Sequence, residues 1–421
     1  MKLINRPLAL FALTLTLLLV LNLVMPSPPA YVREFVVNTT DDLDDGACNT
    51  SHCSLREAIL AANLTPADVS ITFNASGTIH LTSALPDISQ DSILTIDGGN
   101  QITLDGGSRT RVFLNAGNLT LKNLTISNGA VSDDFGGGIF NRGVLTIINS
   151  TFSNNTASTM NTIAGGGAIY NSGHLTIING SFDSNRAVST GKGYAEGGAI
   201  YNSGEFTEAA ISDGTTFRNN EATHHGGAIF NALGYLTVKD SLFDGNRSDQ
   251  GGGGGIYDRN GASMNIISAT LQGNSAAFGG GIFSSSIRTD IRDSVFSNNS
   301  ARSADGGAIY IHSNSVLNIS NSALQNNTAQ NGGGVFALGA AHLANVTISG
   351  NSGGDCTLGN GGSMSRDSAN NLIEGTGSNA CGLLHGVDGN RIGLNLDPQP
   401  SSDSPAHFML SNNSSAAEGE K

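Results

Sequence analysis

The sequence predicts an all-β fold, a parallel β-helix solenoid of roughly twelve coils with a short N-terminal capping helix. The main observation is the phrase Gly-Gly-(Ala/Gly)-Ile-(Phe/Tyr), which recurs at intervals of 26 to 31 residues. Most copies are followed by a Phe-x-x-Asn pattern. Repeats of this length, with short apolar runs between Gly, Asn and Ser turns, are typical of coils that stack on one another. The aliphatic position of the phrase falls at Ile139, Ile169, Ile200, Ile229, Ile256, Ile282, Ile309 and Val335.

The composition agrees with a folded, turn-rich chain and limits its partners. Of 421 residues, 56 are Gly and 38% are hydrophobic, and the hydrophobic residues recur too regularly for a disordered segment. Gly does not recur at every third position, which excludes collagen. The net charge of −14 disfavours nucleic acid as a partner, because binding to phosphates needs a basic surface.

The first thirty residues have the layout of a secretory signal peptide. Lys2 and Arg6 precede an apolar run from Leu8 to Val24, and small residues with Pro follow it. An uncleaved membrane anchor is the alternative, since the run is almost long enough to span a bilayer. We expect cleavage, so that the mature chain is secreted without a membrane span. The predicted segments are a signal peptide (1–30), an N-terminal cap with the first coils (31–95), the β-helix repeats (96–395) and a C-terminal tail (396–421).

A capping box predicts the N-terminal helix. Ser54 and Glu57 stand three residues apart, so that each side chain can bond the backbone N–H of the other. We predict a helix over about residues 55–63 that covers the exposed sheet edge of the first coil. Its apolar face consists of Leu55, Ala58, Ile59 and Ala62.

One repeat shows how a coil is built. Short strands are predicted at 168–170, at 175–178 and around Phe182, with Gly/Asn/Ser turns between them. Asn suits such turns because it tolerates the left-handed conformation, and its amide can bond the matching amide of the next coil. Alternation directs to the interior Ile169, Leu175, Ile177 and Phe182. Asn residues form two columns, Asn141, Asn171, Asn202 and Asn231, and Asn155, Asn185, Asn220, Asn246, Asn274, Asn299, Asn327 and Asn351.

The four Cys residues are interpreted as disulfides because the chain is predicted to be secreted. Three pairings are possible. Proximity in the sequence favours Cys48–Cys53 and Cys356–Cys381, one bond at each end of the repeats. A zinc site is the alternative, but no clustered His accompanies these residues.

A catalytic role would need carboxylates, or a carboxylate and a base, on neighbouring coils. The position four residues before each repeated aliphatic places Glu196 and His225 one coil apart, which makes them the best acid–base pair. Asp133 and Asp134 form the only adjacent carboxylate doublet within the repeats. We expect no Arg or Lys beside either pair, so a polysaccharide lyase or glycoside hydrolase is the alternative hypothesis rather than the first.

An acidic run before Cys48 suggests a calcium loop only at first sight. A loop that ends at Gly46 would need an acid or Asn at Leu43 and a Glu near His52, and both positions fail. The run is better interpreted as an acidic hairpin, and we expect neither a metal nor a cofactor. Its carboxylates are Asp41, Asp42, Asp44 and Asp45.

An aromatic column is the remaining candidate for ligand binding. If the aliphatic before each aromatic points inward, the aromatic points outward. Such rings could stack on sugars or on another protein, and the alternative is that they stack on one another or lie under a turn. The column is Phe140, Tyr170, Tyr201, Phe230, Tyr257, Phe283, Tyr310 and Phe336. The tyrosines Tyr170, Tyr201, Tyr257 and Tyr310 are the predicted ligand-binding residues.

Two stretches resemble known families. The segment Thr40-x-Asp42-x-x-Asp45-Gly46-x-Cys48…Cys53-Ser-Leu-Arg-Glu-Ala-Ile59-x-Ala-Ala-Asn63 is similar to the CSLREA-type domain of bacterial secreted right-handed parallel β-helix proteins. The pairing of Gly-Gly-Ala-Ile with Phe-x-x-Asn resembles the repeat of chlamydial polymorphic outer-membrane proteins, which are surface adhesins. These resemblances imply a right-handed, extracellular parallel β-helix. We therefore predict a secreted or cell-surface protein that binds a glycan or protein without catalysis.

Overall fold

The computed structural model describes residues 32–205, 207–394, 399–400 and 408–409. The predicted signal peptide and almost all of the predicted tail lie outside these residues. The described chain is a right-handed parallel β-helix of about 11 coils, close to the predicted number. One α-helix, Leu55–Asn63, precedes the repeats, and a short 3-10 helix, Gly377–Asn379, lies near their end.

The coils contribute strands to three long parallel sheets. The largest sheet, here called the long sheet, bends at a turn within each coil, so that most coils add two strands to it. Its strands are Val32–Val37, Asp68–Phe73, Gly77–His80, Ile93–Asp105, Asn118–Ser127, Val144–Ile148, Thr151–Ser153, His174–Ile178, Ser181–Asp183, Glu208–Ser212, Thr216–Arg218, Tyr235–Lys239, Leu242–Asp244, Ser263–Ile267, Thr270–Gln272, Arg288–Arg292, Val295–Ser297, Val316–Ser320, Ala323–Gln325, Ala340–Ala344, Thr347–Ser349, Ser363–Met364, Leu372–Ile373 and Arg391–Ile392.

The second sheet, here called the aromatic sheet, carries the repeated aliphatic–aromatic phrase. Its strands are Phe113–Asn115, Ile139–Asn141, Ile169–Asn171, Ile200–Ser203, Ile229–Ala232, Ile256–Arg259, Ile282–Ser284, Ile309–Ile311, Val335–Ala337 and Cys356–Leu358. The third sheet consists of Ala130–Ser132, Thr156–Thr159, Arg186–Ser189, Glu221–Ala222, Arg247–Ser248, Ser275–Ala276 and Ser300–Ala301. Ile163–Gly165 and Tyr194–Glu196 form a small parallel sheet, and Gln399–Pro400 pairs antiparallel with Phe408–Met409.

The core is a set of columns in which equivalent residues of successive coils stack. Ile169, Ile200 and Ile229 pair in register in the aromatic sheet, and each is fully buried, which confirms the predicted inward column. Phe152, Phe182 and Phe217 form a second column, with ring centroids 4.9 Å apart at each step. Such regular stacking follows from parallel strands that repeat at about 4.8 Å.

The two Asn columns form hydrogen-bonded ladders, as predicted. In the first ladder each Asn Nδ2 donates to the Asn Oδ1 of the next coil, for example Asn171 to Asn202 at 2.7 Å. In the second ladder, Asn220 Nδ2 donates to Asn246 Oδ1 at 2.9 Å and also to the Phe182 carbonyl at 3.0 Å. These side chains therefore satisfy buried backbone groups at turns where no strand partner exists.

Each ladder ends on a buried aspartate, which the sequence analysis did not predict. Asn231 Nδ2 donates to Asp258 Oδ1 at 2.9 Å, and Asn351 Nδ2 donates to Asp355 Oδ1 at 2.8 Å. A carboxylate can only accept hydrogen bonds, so it stops the chain of amide donations. Burial raises the pKa of Asp258 to about 7 and that of Asp355 to about 6.

The N-terminal cap has the predicted helix and capping box. Ser54 Oγ accepts from the Glu57 N–H, and Glu57 Oε2 accepts from the Ser54 N–H at 2.8 Å. Leu55 and Ile59 are buried against the first coils, as the amphipathic pattern predicts. Arg56 fixes the helix further, because its guanidinium pairs with Asp42 at 2.8 Å.

Two disulfide bonds lie near the two ends of the repeats. Cys48 bonds Cys53, and Cys356 bonds Cys381, which confirms the predicted pairing. Within the described residues, the helices are too short or too polar to cross a bilayer.

Candidate functional site

The aromatic column lies on the outer face of the aromatic sheet, as predicted, but its rings stack on one another. Neighbouring strands pair in register, for example Tyr170 with Tyr201, and Phe230 with Tyr257. The ring centroids of Tyr257 and Phe283 are 4.4 Å apart, and their planes differ by 10°. We call this column the aromatic stripe. Offset stacking of this kind stabilises the sheet in addition to the burial of apolar area.

A second layer of rings covers the middle of the aromatic stripe. The loops before the strands place Phe135 4.7 Å from Tyr170 and His225 4.3 Å from Tyr257, measured between ring centroids. Tyr201 is consequently 6% exposed and Tyr257 is 9% exposed. These two predicted ligand-binding tyrosines present almost no surface on which a ligand ring could stack. The outward geometry was predicted correctly, and the stacking of the rings on one another is the alternative that the sequence analysis also gave.

Two of the four predicted tyrosines keep part of their surface accessible. Tyr170 and Tyr310 lie towards the two ends of the covered region, and each is half-buried. Tyr310 packs against Phe283 and Phe336, with ring centroids 5.1 and 5.3 Å away. Their part in ligand binding stays a prediction.

Glu196 and His225 lie on adjacent coils, where the spacing of the repeats places them. They form a parallel bridge that extends the small two-stranded sheet by one coil. His225 Nδ1 accepts a hydrogen bond from the Gly252 N–H at 3.1 Å, which leaves the proton of the neutral ring on Nε2. Burial lowers the pKa of His225 to about 4, so the ring is neutral and weakly basic at physiological pH.

Glu196 is an unusual carboxyl because it is 3% exposed and lies beside a cation. Arg259 Nη1 lies 3.9 Å from Glu196 Oε1, and the same guanidinium lies over the Phe230 ring at 4.8 Å. Burial raises the pKa of Glu196 to about 7, while the charge of Arg259 and a hydrogen bond from Tyr201 oppose the rise. The expectation that no basic residue lies beside Glu196 was wrong, because Arg259 reaches it from two coils further along.

This geometry supplies one group that titrates near neutral pH. A glycosidase of the usual kind needs two carboxyl groups on opposite sides of the scissile bond. His225 does not replace the second carboxyl, because its Nδ1 is occupied and its ring packs against Tyr257. The pair predicted from the sequence is therefore close in space but poorly prepared for acid–base exchange.

The carboxylate doublet Asp133–Asp134 is engaged in holding the loops between coils. Asp133 Oδ1 accepts from Thr159 Oγ1 at 2.7 Å and from the Met160 N–H at 3.1 Å. The hydrogen bond from Thr159 is the main cause that lowers the pKa of Asp133. Asp134 pairs with Arg111 at 2.6 Å, which corrects the expectation of no basic neighbour.

A partly exposed aromatic pair beside Glu196 was missed in the sequence analysis. Tyr194 is 52% exposed, and its ring centroid lies 4.7 Å from that of His224 in the next coil. Tyr194 also pairs in register with Ile163, which is 48% exposed. Tyr194 and Glu196 are two residues apart on one strand, so their side chains leave the same face. We call Tyr194, His224, Glu196 and Arg259 the tyrosine platform.

The sequence did contain a signal for the tyrosine platform. The repeats around it are 29 to 31 residues long, whereas the later repeats are 26 or 27. The additional residues form the small sheet Ile163–Gly165 with Tyr194–Glu196, which projects beyond the regular coil. Loops inserted on a regular scaffold are common positions for binding residues.

The acidic run folds around His52 as a loop without strands, and not as the predicted hairpin. Its Nε2 lies 3.1 Å from Asp41 Oδ1, and its Nδ1 lies 3.3 Å from Asp45 Oδ2 and 3.1 Å from Glu57 Oε2. The hydrogen bond to Asp41, followed by the nearby carboxylates, raises the pKa of His52. Asp45, His52 and Glu57 could together offer three ligands to a metal ion. Both Glu57 oxygens already accept backbone N–H groups, so a metal ion would have to share these oxygens with the backbone.

Comparison with known proteins agrees with the fold and the repeats. The family model described as right handed beta helix region matches residues 199–352. The model of the Chlamydia polymorphic membrane protein repeat matches residues 149–172. Neither the curated proteins nor the solved structures contain a match to the chain. Both matched models are typical of surface or secreted β-helix proteins. The chain is a right-handed parallel β-helix protein that carries a repeat of the chlamydial polymorphic membrane protein type.

Proposed function

We propose that this protein is a secreted or cell-surface β-helix that binds a glycan, without catalysis, at the tyrosine platform. The single observation that carries the proposal is the exposed Tyr194 ring, which packs against the half-buried His224 ring beside the buried Glu196 carboxyl. An exposed aromatic face suits the apolar face of a sugar ring, and adjacent polar groups suit its hydroxyls.

The polar group of the tyrosine platform that a ligand can reach is the Arg259 guanidinium, since Glu196 is 3% exposed. Arg259 donates hydrogen bonds to sugar hydroxyls, and the Glu196 carboxyl, 3.9 Å away, sets the charge beside it. With a pKa of about 7, Glu196 exists in both forms near neutral pH. Arg259 is 47% exposed at its side chain, so a ligand can reach the guanidinium from solvent.

A polysaccharide lyase or glycoside hydrolase is the second candidate, and the Glu196–Arg259 contact favours it. A carboxyl with a pKa near the working pH is suited to general acid–base catalysis. The neutral, packed state of His225 argues for binding instead. A protein ligand at the same platform is a further possible result of the test below.

The test is a glycan array and a depolymerisation screen with the wild type and matched variants. We expect Tyr194→Ala to weaken glycan binding about tenfold or more, because it removes the stacking face. Tyr235→Ala is the control, since Tyr235 is 48% exposed but belongs to a strand of the long sheet. Equal binding by the wild type and Tyr194→Ala would exclude the tyrosine platform as the site.

The same preparations separate binding from catalysis. Binding without cleavage of pectin, alginate or related polysaccharides supports the proposal. Cleavage by the wild type, with a loss of about a hundredfold in kcat for Glu196→Gln, would establish the enzyme instead. Retained cleavage in both Glu196→Gln and His225→Ala would place the chemistry at another site, with Asp133 and Asp134 next to be replaced.

A further inference from the structure

A groove bordered by polar side chains lies on the outer face of the long sheet. Its volume is about 470 Å³, and it crosses the strands Ser263–Ile267, Arg288–Arg292, Val316–Ser320 and Ala340–Ala344. The outward residues at its centre pair in register from one coil to the next. They are Asn265, Asp290, Asn318 and His342.

The same outward column has a different composition in the preceding coils. There it consists of threonines and one alanine, in register at Thr95, Thr120, Thr146, Thr176, Ala210 and Thr237. Thr is an ordinary choice for a half-exposed strand position because its branched side chain packs well on a sheet. Packing therefore does not explain the change to amide, carboxylate, amide and imidazole in four successive coils.

Part of the hydrogen-bonding capacity in the groove is used to orient the side chains. Asp290 accepts from Asn318 Nδ2 at 2.7 Å and from Arg288 Nε at 2.6 Å. His342 Nε2 lies 3.1 Å from the Asp367 carbonyl, to which it donates. These contacts leave two acceptors on lining residues, His342 Nδ1 and Asn318 Oδ1, without a hydrogen bond in the described part of the chain. The central side chains are thus held in place before a ligand arrives.

Two other polar side chains of the groove, those of Asn265 and Arg292, are not used in this way in the described part of the chain. Within the described residues, the Asn265 amide and the Arg292 guanidinium make no hydrogen bond or ion pair with another side chain. An unpaired guanidinium is notable in a chain with a net charge of −14. Arg292 and Arg288 flank Asp290 on one strand, so two cations border the central column. A guanidinium binds a carboxylate with two parallel hydrogen bonds, which gives both strength and orientation.

We propose that this groove, here called the asparagine groove, binds an acidic glycan, a chain of sugars that carry carboxylate groups. Arg292 pairs with a sugar carboxylate, while Asn265, Asn318 and His342 bond the sugar hydroxyls. Strands that repeat at about 4.8 Å present these groups in a row, which suits an extended chain of sugar units. The inference goes beyond the tyrosine platform, because it concerns a second surface with a ligand class selected by charge.

The experiment is isothermal titration calorimetry of the full protein with tetragalacturonate, and with maltotetraose as the neutral probe. We expect tetragalacturonate to bind and maltotetraose to bind at least about tenfold more weakly. Arg292→Ala should weaken tetragalacturonate binding by about tenfold, the usual result of losing a charged hydrogen-bond partner. Binding should also weaken as salt is added, because the contact is exposed.

Two further variants keep the result interpretable. Asn318→Ala removes a hydroxyl partner and the hydrogen bond that orients Asp290, so it should also weaken binding. Arg218→Ala is the control, because Arg218 is exposed on another strand of the long sheet. Arg292 makes no hydrogen bond or ion pair with another side chain in the described residues, so we expect its replacement to leave the fold intact, which a thermal melt checks.

The outcomes separate this inference from the proposed function. No binding of tetragalacturonate to the wild type, or equal binding by Arg292→Ala, would overturn the asparagine groove. Glycan binding that depends on Tyr194 would survive either result. Conversely, tetragalacturonate binding that depends on Arg292 but not on Tyr194 would support the asparagine groove as a site separate from the tyrosine platform.

Discussion

Replacement of Asp258 by Asn should stabilise the protein at pH 8 and reduce the dependence of its stability on pH. Asp258 ends the first Asn ladder, where it is completely buried. It accepts from Asn231 Nδ2 at 2.9 Å and from the Ser286 hydroxyl. The side-chain amide of the Asp258→Asn variant would keep an acceptor for Asn231, and the Ser286 hydroxyl can rotate to accept from its NH2 group. The variant therefore removes a buried charge while it keeps the ladder.

The direction in which stability changes with pH follows from the raised pKa of Asp258. Burial raises this pKa from 3.8 to about 7, so between these values the folded protein binds more protons than the unfolded chain. The free energy of unfolding therefore falls as the pH rises through this window. The stability that the protonated Asp258 carboxyl contributes is lost above about pH 7. The difference between the two pKa values corresponds to about 4 kcal/mol, at about 1.4 kcal/mol for each pH unit.

The assay is thermal unfolding at pH 5 and pH 8, followed by far-UV circular dichroism. The quantity to compare is the change in melting temperature between the two pH values, in wild type and in Asp258→Asn. Other groups with shifted pKa values, such as Asp355 and Glu196, contribute to both proteins and cancel in this comparison. We expect the wild type to lose more stability at pH 8 than the variant does.

The control variant is Asp240→Asn, which makes the same chemical change at an exposed position. We expect it to alter stability by less than about 0.5 kcal/mol at either pH, as surface changes usually do. A melting temperature that depends on pH equally in the wild type and in Asp258→Asn would refute the reasoning. It would mean that the Asp258 carboxylate is charged in the folded protein at neutral pH, with solvent or a cation to stabilise it.

Two further predictions test the interior of the coils. Ile200→Ala should lower the free energy of unfolding by about 2–5 kcal/mol in chemical denaturation, because the buried Ile column loses a side chain. Asn220→Ala should cost about 3 kcal/mol, because the Asn185 N–H and amide lose their acceptor. The exposed neighbour Asn219 has a φ of 52°, so Asn219→Ala should cost only about 1 kcal/mol in backbone strain. Equal losses for Asn219 and Asn220 would contradict the importance of the ladder.

The regular part of the fold could be read from the sequence because each coil is the template for the next. Parallel strands in register place equivalent residues one above another, so the spacing of the repeats suffices to predict the column of Ile169 and Ile200. The same rule predicts that Glu196 and His225 are neighbours. Local signals were also sufficient for the helix Leu55–Asn63, since its capping box and apolar face lie within ten residues.

The spacing of the repeats could not predict how much of each outward side chain is exposed to solvent. Tyr201 and Tyr194 are both aromatic residues on outer faces, yet Tyr201 is 6% exposed and Tyr194 is 52% exposed. Tyr201 lies beneath the loop ring of Phe135, whereas the ring of Tyr194, on a strand of inserted residues, packs against His224 of the next coil and stays about half exposed. Loop lengths that vary between coils decide which rings are covered, and alternation along a strand contains no information about them.

The sequence by itself determined the solenoid, the inward columns, the Asn ladders, the capping helix and the pairing of the disulfides. The tertiary structure alone decided the chemistry of the surface. Arg259 reaches Glu196 from two coils away, and burial raises the pKa of Glu196 to about 7. Periodicity fixes which backbone positions are neighbours, because hydrogen bonds between coils repeat at one spacing. Ionisation and ligand access depend instead on desolvation and on charges from several coils, which become defined only when the chain is folded.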